Sequence, residues 1–206
     1  MYNLYGSPGT ASFAVHWMLI ELAVEYNIAL LDFSHGENKT VEYLKISPNG
    51  SVPALIVDDF SILETGAILM WLSERHSEKH LSPSGNSQER AAWLQRMIWL
   101  ANEPMPLFRQ WLYPEDLPGL DRSVLQSRIE SVWEALNVYL DDHKFVVGDQ
   151  FTCADIQTVM LMRWSRGMPN PAASWGNINR YLNEISKRPS FIKVHIKEQL
   201  ADWISK

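Results

Sequence analysis

The chain has 206 residues, of which 46% are hydrophobic and 11% aromatic, so it can form one large or two small packed domains and is not a disordered segment. Its 24 acidic residues outnumber 18 basic ones, giving a formal net charge of −6. This charge excludes a general nucleic-acid binder, because such a protein needs a basic surface. The single cysteine, Cys153, excludes a disulfide framework and any Cys-x-x-Cys motif for zinc or redox chemistry.

The location and the domain boundary follow from the same level of reading. Residues 1–6 lack the basic start and apolar run of a secretory signal, and no apolar run of about 18 residues could span a bilayer. We therefore expect a cytoplasmic protein with no membrane segment. Residues 1–80 contain four basic and ten acidic residues, whereas the remainder has 14 of each. The turn-forming residues 77–86 are interpreted as a linker between domains at 1–76 and 87–206.

The first domain alternates between strand and helix patterns. Tyr2–Tyr5 is predicted to be a short strand, and a helix begins at Ser12 with apolar residues recurring at helical spacing. Ile28–Phe33 is predicted to be a buried strand. Two strands joined by a helix form a right-handed parallel βαβ unit.

The rest of the first domain is predicted from shorter signals. Thr40–Ile46 is interpreted as a helix, Ala54–Val57 and Ser61–Leu63 as a β-hairpin, and Thr65–His76 as a helix. Pro53 marks an edge or a bend, because proline cannot donate a hydrogen bond to a sheet. The predicted order is therefore β-α-β-α-β-β-α, a small α/β layer.

The second domain is predicted to be an all-helical bundle without strands. Thr152 and Asp155 have the spacing of a capping box, and Pro189 suits the first turn of a last helix. A further amphipathic helix is indicated by apolar residues that recur every three or four positions: Leu125, Ile129, Val132, Leu136 and Tyr139.

Three motifs give a specific resemblance: Ser-Val-Pro-Ala-Leu at 51–55, Leu-Glu-Thr-Gly-Ala-Ile at 63–68 and Thr-Cys-Ala-Asp at 152–155. In this order the chain resembles the cytosolic glutathione transferases, and residues 7–12 are most similar to bacterial beta-class members. The resemblance implies a thioredoxin-like N-terminal domain that binds glutathione as co-substrate. It also implies a helical C-terminal domain for the second substrate, and a homodimer.

The resemblance also suggests how glutathione is held. The family has a cis proline at the position of Pro53, which would turn the Val52 backbone towards an extended ligand. Glu64 is expected to meet the ammonium of the γ-glutamyl group, and Thr65 its carboxylate. Alternatively, Glu64 and Thr65 only stabilise the start of a helix, and the two roles are compatible. Lys39 is a candidate for the glycine carboxylate of glutathione, or else a solvated loop lysine.

Ser12 is the candidate catalytic residue, because a hydroxyl at a helix N-terminus can stabilise a thiolate. Thr10 in the same loop is the alternative hydroxyl, and Ser12 would then be a plain helix cap. Tyr5 is discounted, because the tyrosine used in some animal classes aligns near Gly6. Beta-class proteins usually have a cysteine where this chain has Ala11, so disulfide chemistry through a protein thiol is not expected.

The second substrate is expected to contact the helical domain. Met105 takes the place of a histidine that beta-class proteins have near the substrate, so the substrate range is open. Met105 is grouped with Phe108, Trp111 and Trp164 as the wall of an apolar pocket, the alternative being that these side chains form core. His76 and His80 have metal-ligand spacing but are interpreted as surface histidines, and no metal is expected.

The predicted function is that of a glutathione transferase acting on a hydrophobic electrophile. The alternatives are a transferase-like module that binds glutathione or a protein without catalysis, and a glutathione-dependent isomerase, dehalogenase or peroxidase. All the enzymatic alternatives need the same thiolate and differ only in the second pocket.

Overall fold

A computed structural model describes residues 1–116 and 118–201 of the chain. Contacts divide the chain into two compact units. The first comprises residues 1–79 together with residues 188–201, and the second comprises residues 80–187. No helix in the described ranges has both the length and the apolar character needed to cross a bilayer.

The first unit contains a four-stranded mixed sheet. The strand order is β2-β1-β3-β4, with β1 parallel to β2 and antiparallel to β3, and with β3 antiparallel to β4. This is the thioredoxin-like α/β arrangement predicted from the sequence. Its elements in chain order are β1 (Tyr2–Gly6), α1 (Ser12–Leu22), β2 (Tyr26–Leu30), α2 (Val41–Leu44), β3 (Ala54–Val57), β4 (Phe60–Leu63) and α3 (Thr65–Arg75).

Strand β2 differs from the prediction in both place and burial. The sequence predicted a buried strand at Ile28–Phe33, whereas β2 begins at Tyr26 and ends at Leu30. None of its residues is buried, because β2 is an edge strand that pairs with β1 on one side. An apolar run therefore indicated a strand here but not its position in the sheet.

The described residues of the second unit form helices joined by loops, with no strand among them, as predicted. The capping box at the start of its buried helix is also confirmed, since Thr152 and Asp155 hydrogen-bond each other's backbone. The predicted apolar stripe lies on the longest helix, and its first four residues are buried. The helices are α4 (Gln88–Asn102), α5 (Pro104–Leu112), α6 (Arg122–Asp142), α7 (Cys153–Trp164) and α8 (Gly176–Ile185).

The last helix, α9 (Pro189–Lys197), belongs by its contacts to the first unit. The sequence had assigned it to the helical domain at 87–206, of which residues 202–206 lie outside the described part. Trp17 of α1 donates a hydrogen bond from Nε1 to the Ser190 hydroxyl at 2.9 Å. Arg188 forms an ion pair with Glu21 of α1. Helix α9 therefore covers α1, which is buried along nearly its whole length.

Candidate functional site

Strand pairing brings three segments of the first unit together at one end of the strands, where β1 and β4 end and β3 begins. Strand β1 ends at Gly6, and the preceding residue, Tyr5, pairs with Ala54 at the start of β3. Ala54 pairs in turn with Leu63 at the end of β4. The loop after β1, the turn before β3 and the start of α3 therefore lie side by side.

The turn before β3 is fixed by hydrogen bonds to the Ser51 carbonyl, whereas the next residue, Val52, keeps its backbone groups available. The Val52–Pro53 peptide bond is cis, as predicted. The carbonyl of Ser51 accepts hydrogen bonds from the hydroxyls of Tyr43 at 2.7 Å and Ser47 at 2.9 Å. Burial raises the pKa of Tyr43 to about 12, so this hydroxyl remains a donor at neutral pH. Within the described residues the backbone of Val52 forms no hydrogen bond, which leaves its N–H and C=O for a ligand.

Glu64 lies between β4 and α3 in a strained conformation. Its φ of +69° and ψ of 118° are unfavourable for a residue with a side chain. Strain of this kind is concentrated at ligand-binding and active sites. The exposed Glu64 side chain does not cap α3, whereas Thr65 is buried with its hydroxyl 3.5 Å from the Ala11 carbonyl. The site therefore presents a free carboxylate beside the N-terminus of α3.

Ser12 is enclosed by the loop that follows β1. Its side chain is only 1% exposed. Its Oγ accepts the Ser7 N–H at 3.0 Å and lies 3.0 Å from the Ser7 carbonyl, to which it can donate. Gly6 permits this approach, because a Cβ at that position would lie 2.6 Å from the Ser12 Oγ. Ser12 therefore holds the loop together and has no exposed face.

Thr10 is the more accessible hydroxyl of this loop. It is partly exposed, and its Oγ1 donates to the Ser7 carbonyl at 2.7 Å. The same oxygen lies 3.0 Å from the Ser12 Oγ and accepts the Ser12 N–H at 3.4 Å. The two candidate hydroxyls are thus in direct contact, with Thr10 on the outside and Ser12 behind it.

Lys39 lies beside the turn before β3. Its ammonium donates to the Asn49 carbonyl at 3.3 Å, and the neighbouring Asn38 amide donates to the Gly50 carbonyl at 2.8 Å. Lys39 is therefore an exposed lysine whose ammonium contacts the chain three residues before Val52.

The predicted substrate residues of the second unit divide into two kinds. Phe108 is 0% exposed, with its ring centroid 5.6 Å from that of Trp133 and 6.2 Å from that of Trp164. Such a side chain belongs to the core. Met105, Trp111 and Trp164 are partly exposed, and Arg122 lies over the Trp111 ring at 4.1 Å. Only these three have surface to offer a ligand.

Sequence reasoning missed two buried polar residues, one of which contacts this loop and the other of which contacts the first. Glu198, which follows α9, accepts the Gly9 N–H at 2.8 Å, and His16 of α1 lies 2.8 Å from the same carboxylate. The separation of 182 residues between His16 and Glu198 explains the omission, since no local pattern links them. The one available signal was a histidine among the apolar residues in the middle of α1.

Two protein-family models match this chain. The model for the glutathione S-transferase N-terminal domain matches residues 1–74, and that for the C-terminal domain matches residues 123–189. Together they match more than half of the chain, which therefore belongs to the glutathione S-transferase family.

Two named relatives from Escherichia coli are similar over nearly the full length. Glutathione S-transferase GstA is 26% identical over 193 residues, covering 91% of this chain and 94% of the relative. The disulfide-bond oxidoreductase YfcG is 26% identical over 216 residues, covering 98% of each. Different activities are thus named at equal identity.

Two solved structures of bacterial glutathione transferases have folds similar to that of this chain. A glutathione transferase homologue from Sulfitobacter with bound glutathione has a TM-score of 0.87 at 25% identity, covering 97% of this chain and 99% of that one. The beta-class glutathione S-transferase of Sphingomonas chungbukensis has a TM-score of 0.85 at 25% identity, covering 97% and 100%. The predicted likeness to bacterial beta-class proteins is confirmed.

Proposed function

We propose that this protein is a glutathione transferase that binds glutathione on the first unit and activates its thiol for attack on a hydrophobic electrophile. The observation that carries the proposal is the meeting of the hydroxyl loop, the open Val52 backbone and the Glu64 carboxylate at one end of the strands. The glutathione-bound Sulfitobacter homologue supports the choice of ligand.

Each part of the tripeptide has a complementary group. The Val52 backbone pairs with the cysteinyl backbone as a neighbouring strand would. Glu64 meets the ammonium of the γ-glutamyl group, while Thr65 and the first N–H groups of α3 meet its carboxylate. Lys39, anchored beside the same turn, is the proposed cation for the glycine carboxylate.

In the proposed activation, Thr10 donates to the sulfur and Ser12 supports Thr10. The Ser7 N–H donates to the Ser12 Oγ, the Ser12 hydroxyl donates to the Thr10 Oγ1, and the Thr10 hydroxyl turns from the Ser7 carbonyl to the sulfur. Each donor in such a chain polarises the next. The sequence alone favoured direct donation by Ser12, but the burial of its hydroxyl supports Thr10.

A hydrogen bond and a helix N-terminus can together supply the free energy needed to lower the pKa of the thiol. An ordinary thiol has a pKa of about 8.5, and lowering it to about 6.5 requires about 2.7 kcal/mol. A hydrogen bond to a charged group contributes about 1.5–3 kcal/mol, and the N-terminus of α1 adds about 0.3–1 kcal/mol. One well-directed hydroxyl at this helix end is therefore sufficient without a general base.

The second unit supplies the proposed surface for the electrophile. Of the four predicted substrate residues, Met105, Trp111 and Trp164 have accessible apolar area, and Phe108 supports Trp164 from the core. The thiolate attacks the electrophilic carbon of the second substrate, forming a C–S bond while the leaving group departs with the displaced electron pair.

A second candidate is a module that binds glutathione or a protein without catalysis. It is favoured by the hydroxyls of Thr10 and Ser12, since both have acceptors inside the loop without any ligand. A glutathione-dependent isomerase, dehalogenase or peroxidase would use the same activated thiol. Cys153 is buried in α7, so it does not provide an exposed thiol for disulfide exchange of the kind named for YfcG.

Calorimetric titration with reduced glutathione, followed by assays with chemically distinct electrophiles and peroxides, tests the proposal. We expect binding, and conjugation of at least one electrophile. Binding without turnover would favour the second candidate, and no binding would contradict both glutathione-dependent functions.

Light scattering of the same sample should give the proposed two-fold homodimer, and a monomer at micromolar concentration would contradict it. The proposed location is the cytoplasm, where the glutathione pool is reduced.

A further inference from the structure

A buried carboxylate connects the hydroxyl loop to the interior of the first unit. Glu198 is 3% exposed and accepts the Gly9 N–H through Oε2 at 2.8 Å. Its Oε1 lies 2.8 Å from Nδ1 of His16, whose Nε2 lies 2.9 Å from the Tyr26 hydroxyl. One side chain thus joins the loop, helix α1 and strand β2.

The Gly9 N–H belongs to the central peptide of a tight turn. Thr10 donates its N–H to the Ser7 carbonyl at 3.2 Å, which closes a four-residue turn with Pro8 second and Gly9 third. Gly9 has a φ of +69°, so the turn has the type II pattern, which requires a positive φ at the third position. In the type I alternative the central peptide is reversed. The Pro8 carbonyl would then face the Glu198 carboxylate in place of the Gly9 N–H.

The network around the carboxylate remains satisfied whichever form His16 takes. An ionised carboxylate only accepts hydrogen bonds, so Nδ1 of His16 is the protonated nitrogen. The Tyr26 hydroxyl can donate to Nε2 or accept from it. Burial, followed by the charge of Glu198, raises the pKa of Tyr26, which keeps this hydroxyl protonated at neutral pH. Lys197 lies above the Tyr26 ring, with Nζ 5.7 Å from the ring centroid.

We propose that Glu198 is a positioning residue for thiol activation: by accepting the Gly9 N–H, it fixes the 7–10 turn in the orientation that presents the Thr10 hydroxyl to the sulfur of glutathione. This inference rests on the proposed function. A buried carboxylate is costly, and an apolar side chain could fill the same space. The hydrogen bond to the loop is what an apolar side chain cannot supply.

The decisive comparison is between Glu198→Ala and Ser190→Ala. Both remove a buried polar contact between the α9 region and α1, but only Glu198 touches the loop. Glu198→Ala should lower kcat between about 10- and 100-fold, the scale of a small misplacement of a reacting group. It should also raise the pKa of the bound thiol, with a smaller change in the KM for glutathione. Ser190→Ala should lower thermal stability and leave kcat unchanged.

Two further variants separate charge from geometry and allow for a failure to fold. Glu198→Gln keeps an oxygen acceptor for Gly9 and should restore most of the lost kcat. Glu198→Asp keeps the charge but is one carbon shorter, so it cannot reach Gly9 and His16 together and should behave like Glu198→Ala. If Glu198→Ala does not fold, Glu198→Asp decides. A parent-like kcat and bound-thiol pKa in either variant would overturn the proposal, as would an equal loss of kcat in Ser190→Ala.

Amide hydrogen exchange at Gly9 provides a readout that needs no glutathione. We expect the Gly9 amide to be protected in the parent protein and in Ser190→Ala, and to lose protection in Glu198→Asp. Unchanged protection would contradict the positioning role even if the protein proved not to bind glutathione. Protection lost as expected, in a protein without glutathione binding, would instead reject the proposed function alone.

Discussion

At the scale of the residue, Glu64 is where backbone strain and proposed binding coincide. Its φ of +69° is costly for glutamate and less costly for glycine, which has no Cβ. Glu64→Gly should therefore raise the free energy of unfolding by about 1 kcal/mol. It should also weaken glutathione binding at least about tenfold, because the carboxylate for the ammonium is lost. Urea denaturation and calorimetric titration measure the two effects.

Asp58 provides the matched control for this prediction. It also has a positive φ, 51°, but lies in the turn between β3 and β4, at the other end of these strands from Glu64. Asp58→Gly should relieve strain without changing glutathione binding. Equal binding by Glu64→Gly and the parent protein would show that the Glu64 carboxylate has no part in ligand recognition.

Thr10 and Ser12 illustrate what a residue's identity predicts and what it does not. The sequence correctly indicated a hydroxyl loop at the start of α1, and it predicted two candidates. It favoured Ser12 over Thr10, because the burial of Ser12 beneath Ser7 and the room left by Gly6 are not visible in the sequence. These are properties of a folded loop rather than of any spacing.

At the scale of the element, the capping box of α7 predicts an unusual pH dependence. Asp155 is completely buried and accepts hydrogen bonds from the N–H groups of Thr152 and Val146 and from the Tyr181 hydroxyl. Burial raises its pKa to about 6, above the value in an unfolded chain. Folding therefore favours the protonated acid. This contribution is complete below about pH 4 and is lost as the pH rises through about 6, by about 3 kcal/mol over the range.

The difference in free energy of unfolding between the parent protein and Asp155→Asn isolates this effect. Exposed carboxyls such as Asp32 and Asp121, whose pKa values are lowered by hydrogen bonds, give the opposite slope in both proteins and cancel. The parent's stability relative to the variant should fall between about pH 4 and 6. A difference that stays flat or rises over this interval would mean that Asp155 folds as a carboxylate.

The elements themselves were predicted from the sequence with unequal success. The period of apolar residues gave the strand and helix order of the first unit and the helical nature of the second. It did not show that β2 is an edge strand or that α9 covers α1. Both depend on which surfaces meet after folding, and Trp17 and Ser190, which make one such contact, are 173 residues apart.

At the scale of the whole molecule, the N-terminal segments that bind and activate glutathione in this account depend on a residue near the other end of the chain. The loop after β1 provides the hydroxyls, and Glu198 holds the Gly9 N–H within it. Motifs in the sequence predicted the family and the ligand. The long-range support for the loop required the structure, because it is set by tertiary contacts alone.

The central claim is that a hydroxyl of this loop keeps the sulfur of bound glutathione ionised at neutral pH. Spectrophotometric titration of the glutathione complex, following thiolate absorbance against pH, tests it directly in the parent protein and in Thr10→Val and Thr10→Ser. The account predicts that the bound thiol of the parent and of Thr10→Ser titrates about two units below the ordinary value of about 8.5, and that of Thr10→Val near it. A bound thiol that titrates like free glutathione in the parent protein, or identically in all three, would contradict the account.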